Sequence, residues 1–481
     1  MGCYFISIGG SGAKIMESLI HLCAAGIMPN RDKLNILAID PDTGNGNLER
    51  SSATLKNFKT LQNLEVGNDT PLFKTKISII EPLPWKPVED GKTLNDLMNY
   101  HAYKGSPLGD LYEVLYTRKE RTTTLDEGFR GHPSIGAATL AKRYALRDGT
   151  SSQWEDFKDN IIQDLGSGGG VKIFLAGSVF GGTGAAGIPT ISRLLRDSLK
   201  DYGNRILIGG ALILPYFNFI APDNDSELFA HSENFLTNTK AALKYYAQKD
   251  NVFNAMYFIG DSLTTRVNNF SKGAGSQKND AHVVDFYGAL AAVDFFQKED
   301  ATPRTFNYIF HNEEKKFVWS DFPELKESTE NGLKEFKLNS RFVKFARFIF
   351  AYIHFVKPVL KDLAAGRLPE YQYPWYVDLL KGVDTSTKSV TAFEDYTEYF
   401  VTWLKQLETL SEREVALISS SMFKTEPAEI VNPNEFSSCG GSQTELDLHE
   451  VWYRLSEPFD SNSTANGFGK FVRRLYDVCE E

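Results

Sequence analysis

The most constraining feature of this chain is the run VKIFLAGSVFGGTGAAGIP at residues 171–189, where an apolar strand pattern breaks into a glycine-rich turn and then a helical pattern. Glycines at such a turn let the backbone approach an anion, and the unpaired amides of the helix start face it. Turns of this kind belong to parallel α/β sheets, whose ligands lie at the carboxyl ends of the strands. Here the amides of Gly181, Gly182, Thr183 and Gly184 can cradle a terminal phosphate, and the Thr183 hydroxyl can donate one more hydrogen bond.

A similar unit opens the chain. Residues 4–8 read as an apolar strand, Gly9, Gly10, Ser11 and Gly12 as a turn, residues 14–25 as a helix, and residues 34–39 as a second strand ending at Asp40. Taken alone, IGGSGAK suits a flavin, a nicotinamide dinucleotide, a mononucleotide or no ligand. It lacks the G-x-x-x-x-G-K-[ST] spacing, so Lys14 is not a P-loop lysine. A solvated helix face is its expected place, and phosphate contact the weaker alternative.

Downstream of the second turn the pattern predicts a helix over 189–199, strands over 205–214 and 255–259, and a helix over 283–296. After residue 322 long amphipathic helices are expected, over 323–336, 340–363, 392–410 and 448–481, with a surface loop at 419–443 rich in Ser, Pro, Asn and Gly. The expected fold is α/β, a Rossmann-like, mostly parallel sheet with helices on both faces, followed by a largely helical C-terminal region. The corresponding division is a nucleotide-binding unit at 1–300, an acidic loop with its following helix at 301–338, and a helical region at 339–481.

Composition narrows the function classes. With 481 residues the chain exceeds the ~250–300 at which a single core stops growing. A net charge of −10 argues against a large nucleic-acid footprint, which needs Lys and Arg to neutralise phosphates. No direct nucleic-acid contact is expected. Four scattered cysteines form neither a disulfide framework nor a CxxC zinc site, and a reducing cytoplasm fits them. Residues 345–356, the most apolar later stretch, are broken by Arg347 and His354 and fall short of the ~20 residues a membrane span needs.

The stretch AGSVFGGTGAAGIP resembles the tubulin signature loop GGGTGSG and, more closely, AGMGGGTGTGAAP of FtsZ, with Phe180 and Ala186 where the family has glycine. Other stretches then follow in family order. Residues 8–12 look like the first phosphate loop, Ala38-Ile39-Asp40-Pro41-Asp42 like the second, and Gly131-His132-Pro133-Ser134-Ile135-Gly136 like the third. Leu214 to Phe219 resembles the PFxFEG segment, and Ile259-Gly260-Asp261-Ser262-Leu263 the I-P-N-D-K-L turn. The resemblance covers residues 4–325. It implies GTP or GDP as ligand, with Mg²⁺ held through Asp40 and Asp42, which otherwise read as turn residues.

The resemblance also implies hydrolysis at a subunit contact. The family's acidic motif N-x-D-x-x-[DE] precedes a helix, and Trp319-Ser320-Asp321-Phe322-Pro323-Glu324 resembles it, with Asp321 and Glu324 to orient or deprotonate the attacking water of a neighbouring subunit. An ordinary helix start explains the same residues. Self-association head to tail follows from this reading, and the C-terminal helices offer a face to a protein partner. FtsZ reads guanine with an asparagine and an aspartate on its core helix, whereas here those positions are Ala291 and Ala292, leaving Tyr287 to stack on a base. Two other readings stand beside this one: a tubulin-like scaffold of little catalytic power, and a Rossmann oxidoreductase, which leaves the loop at 182 unexplained.

Overall fold

The structure is a computed structural model that describes residues 1–28, 33–68, 70–129, 131–145, 152–218, 233–248, 252–261, 265–266, 278–297, 316–317, 324–329, 332–409, 414–415, 448–458 and 464–479. Six parallel strands form its main sheet: β1 (Gly2–Ile8), β2 (Leu34–Ile39), β3 (Ile77–Ile79), β4 (Val171–Ser178), β5 (Ile206–Ile213) and β6 (Ala255–Ile259). Their spatial order is β3-β2-β1-β4-β5-β6. The chain therefore reverses its direction of growth between β1 and β4, and the crevice at their carboxyl ends is where such sheets bind ligands.

Strand periodicity divides the interior in two. Successive side chains of a strand point to opposite faces. Cys3 and Phe5 of β1, with Phe174 and Ala176 of β4, enter one core, while Tyr4, Ile6, Ile8, Ile173 and Leu175 enter the other. The second core is closed by α4 (Ser152–Gly166) and α5 (Gly182–Ser198), through Trp154, Phe157, Ile161, Ile188, Ile191 and Leu195. The first is closed by α1 (Gly9–Ala24), α2 (Gly46–Leu61) and α7 (Val283–Gln297). Between α2 and α4 stands α3 (Pro133–Ala145), and α6 (Glu233–Tyr246) links β5 to β6.

The C-terminal helices form a further layer over the first core. They are α8 (Leu338–Ala351), α9 (Lys357–Ala364), α10 (Lys388–Thr409), α11 (Leu448–Ser456) and α12 (Gly467–Val478). Phe342, Phe345, Tyr396, Phe400 and Trp403 pack in the same cluster as α1 and α2. His21 of α1 lies within 5.5 Å of the rings of Tyr396, Phe400 and Trp403, and the Trp403 indole donates to Ser18 Oγ at 3.2 Å. A π-turn, Tyr352–Val356, joins α8 to α9. Pro358 has no amide to offer the carbonyl four residues back and its ring crowds that carbonyl, which widens the turn.

Two expectations for this region need correction. Residues 323–336 were expected to be helical, but β7 (Glu324–Thr329) and β8 (Gly332–Lys337) form an antiparallel hairpin with Thr329 opposite Gly332. Leu325 and Glu327 of one run and Leu333 and Glu335 of the other are each paired with a residue of the opposite strand, and this pairing outweighs the weak helical spacing of the charged residues. The expected final helix at 448–481 is two helices, α11 and α12, with residues 459–463 outside the described residues.

Candidate phosphate-binding site

Both glycine turns are shorter than their sequences suggest, because the helices begin inside them. α1 starts at Gly9 rather than at residue 14, directly from the last residue of β1. α5 starts at Gly182 rather than at residue 189 and carries Pro189 inside it. Neither helix has a side-chain cap at its start. The first-turn amides of an α-helix have no partner within the helix, so both starts present N–H groups and the positive end of a helix dipole. Low helix propensity had placed these glycines in loops; close packing of the two helix starts against neighbouring backbone overrides it.

Strand pairing sets the two starts side by side, since Ser7 of β1 is opposite Ala176 of β4. Gly9 has φ +70°, which a side chain would strain, and a methyl built there would lie 3.2 Å from Thr183 Cβ. A methyl on Gly182 would lie 2.8 Å from the Gly131 amide nitrogen, and one on Gly10 would lie 3.1 Å from Asn45 Nδ2 and 3.4 Å from Asn47 Nδ2. Four segments, around residues 9–12, 45–47, 128–131 and 181–184, thus meet at the carboxyl ends of β1, β2 and β4. Gly10, Ser11, Gly131, Gly181, Gly182 and Thr183 are half-buried there, while Gly12 and Gly184 are sealed beneath. Among the described residues, neither the Ser11 nor the Thr183 hydroxyl has a hydrogen-bond partner.

Asp40 and Asp42 follow β2 and are both buried. Each organises the turn, because Asp40 Oδ1 accepts from the Asp42 amide at 3.1 Å and Asp42 Oδ1 from the Gly44 amide at 3.0 Å. Burial pushes the Asp40 carboxyl up to about 8, the Asp42 charge adding to the rise and the backbone hydrogen bond opposing it. A cation beside it would favour the ionised form. Among the described residues no group of three His, Cys, Asp or Glu side chains could hold a metal by itself. Mg²⁺ commonly binds through one or two carboxylates together with phosphate oxygens and water, so this pair fits that ion.

Behind the first turn, α1 carries a sealed polar network. Lys14 is neither on a solvated face nor on the phosphate side. It is 3 % exposed, 2.9 Å from Asp285 Oδ2 on α7, and donates to Tyr216 Oη at 2.5 Å. Expected exposure failed because α7 covers this face of α1. One turn on, Glu17 receives Arg50 of α2 at 2.8–2.9 Å, and Arg50 Nη1 donates to the Asn279 carbonyl oxygen at 3.1 Å. The Asn279 amide in turn donates to Asn47 Oδ1 at 2.8 Å. Asn45 caps α2 by accepting from the Asn47 amide. Asn45 and Asn47 went unnoticed in the sequence, although Asn45 ahead of a helical pattern is a cap signal.

The family described as "Tubulin like" matches residues 124–318, a span that contains the third glycine segment, the whole of β4 and α5, and α7. Over that span the chain is similar to the tubulin-like family. A search of curated proteins returned no match. Among solved structures, CetZ from Methanosaeta thermophila strain DSM 6194 matches at 14% identity over 54% of this chain and 46% of that one, with a TM-score of 0.24. The match thus spans less than half of the CetZ chain, and a superposition that loose adds nothing to the assignment.

The remaining candidate site residues fall in unequal places. Asp261 follows β6 at the sheet edge, two strands from β4 and half-buried. Tyr287 lies half-buried on α7 and packs against the first core. Ala291 and Ala292 are buried on the same helix, 6 % and 0 % exposed. Asp321 lies outside the described residues. Glu324 heads β7 opposite Lys337, so the acidic pair does not precede a helix as expected.

Proposed function

We propose that the chain binds a guanine nucleotide with Mg²⁺ in the cytoplasm, hydrolyses it, and assembles head to tail, Asp321 and Glu324 of one copy completing the site of the next. The observation that carries this reading is the meeting of two uncapped helix starts, α1 and α5, with Gly131 and Asn47 around a half-open crevice. In it the amides of Gly10, Ser11, Gly182 and Thr183 would bind phosphate oxygens, the two free hydroxyls would add donors, and Asp40 and Asp42 would hold the cation. Bound Mg²⁺ supplies positive charge against the β- and γ-phosphates. Head-to-tail contacts of one patch with a different patch generate filaments.

The test is direct. Denatured, freshly purified protein should release GDP or GTP by mass spectrometry, and GTP should drive pelleting and light scattering. Hydrolysis should fall at least tenfold in the Asp321→Ala/Glu324→Ala double variant. An unchanged rate in that variant, with no nucleotide-dependent assembly, overturns the mechanism.

A second reading, a nucleotide-binding scaffold of little catalytic power, draws on Ala291 and Ala292, packed into the core where FtsZ reads guanine, and on a hairpin where the acidic pair should introduce a helix. In that case the C-terminal helices would serve a protein partner. Rapid multiple-turnover GTP hydrolysis excludes it.

A further inference from the structure

Arg347 lies on α8 in the C-terminal layer, 4 % exposed, with its Nε sealed from solvent and without an acceptor. Among the described residues its side chain has no hydrogen bond, ion pair or ring contact. A guanidinium remains protonated in proteins, and an uncompensated charge is among the most unfavourable groups to bury. The other deeply buried arginine, Arg50, meets Glu17 through two nitrogens. Arg347 lacks any such answer.

Its surroundings add positive charge. Lys344, one turn earlier on α8, holds its Nζ 4.2 Å from the centre of the Tyr476 ring of α12. Burial pushes the Cys479 thiol, just past α12, up to about 12, with the charges of Lys344, Arg347 and Arg454 opposing the rise and that of Asp477 adding to it. The nearby acids are already engaged: Asp477 accepts from Arg473 at 2.6 Å and Glu450 from Arg454 at 2.7 Å. Arg474 donates to the carbonyl oxygens of Arg454 and Glu457. The carboxyl end of α12 offers only a partial negative charge, too weak to balance a buried guanidinium.

We propose that α8, α11 and α12 form an anion site, distinct from the glycine-lined crevice, in which Arg347 anchors an oxyanion, a phosphoryl or carboxylate group, and Lys344 and Arg454 flank it. The planar guanidinium fork suits two oxygens of either group.

Thermal unfolding at constant ionic strength tests this with inorganic phosphate and with acetate as separate probes. The wild-type chain should gain a saturable rise in Tm with phosphate, acetate or both, and whichever acts identifies the group. Because the glycine crevice can also take phosphate, the titration is repeated in Gly182→Val, where the response should persist, and in Arg347→Met, where the response that persists in Gly182→Val should vanish. Without added anion, Arg347→Met should unfold at the wild-type temperature or above, since an apolar replacement removes an unanswered charge. An Arg347→Met chain that unfolds earlier or fails to fold, a response equal in wild type and Arg347→Met, or no response to either anion in wild type, overturns the site.

Discussion

Lys14 and Arg347 are both cations buried in helices of the first core, and they differ in what surrounds them. Lys14 has a carboxylate, a phenol and a backbone oxygen within reach, all supplied by segments far away in sequence. Arg347 has none of these. The difference teaches that burial of charge has two meanings here. Around Lys14 it locks α1, and therefore the first phosphate turn, onto α7. Around Arg347 it leaves an electrostatic demand that nothing within the described chain meets.

Breaking the Lys14 side of this comparison should have the largest effect. Lys14→Met leaves Asp285 buried without its counter-charge, held only by the Tyr216 hydroxyl and the His282 amide, and should cost about 3–5 kcal/mol by denaturant unfolding. The Lys14→Met/Asp285→Leu double variant should recover most of the loss. A neutral single variant would erase the contrast with Arg347. Next comes Gly9→Ala, in which a side chain meets φ +70° and Thr183. About 1–2 kcal/mol of stability should be lost, together with nucleotide affinity read by fluorescence titration.

Acid should separate the networks more gently. Burial lowers His21 and His282 to about 3, with Arg50 adding to the first and Lys14 to the second. The unfolded chain takes up these protons near 6.5 while the folded chain refuses them, so stability falls as pH drops below 6.5 and continues to fall towards 3. The loss amounts to at most about 1.4 kcal/mol per pH unit for each histidine. His282→Gln should flatten the slope by about one proton in a pH series of unfolding curves.

Asp40 has the opposite sense. Its folded carboxyl is held up near 8, so its stabilising proton is fully present below the unfolded value near 3.8 and is lost as pH rises through 8. Mg²⁺–nucleotide binding at pH 7 should therefore release close to one proton, measured by calorimetry in buffers of different ionisation enthalpy, and Asp40→Asn should release none. The smallest effect belongs to the surface. Removing the Lys357–Glu398 pair, at 2.9 Å and largely in solvent, should change stability by less than about 1 kcal/mol.

Much of the architecture was legible because it is local. Residues 34–39 and 255–259 are apolar runs of strand length, and β2 and β6 have those bounds. The helix predicted at 283–296 is observed one residue longer. The helix starts at Gly9 and Gly182 were not legible, since glycine lowers helix propensity and only packing between β1 and β4 makes these positions helical. The hairpin at 324–337 was missed because its charged residues are also spaced for a helix, and only the pairing of the two strands decides between the two.

The sequence alone determined a parallel α/β sheet with glycine turns after β1 and before α5, because strand runs and glycine act through their immediate neighbours. Tertiary structure alone decided that these turns meet, that Asn47 bonds the backbone of Asn279 from 232 residues away, and that Lys14 is answered while Arg347 is not. The physical reason is that a buried polar group is satisfied by whatever the sheet order brings within about 3 Å of it, and no local pattern encodes that distance.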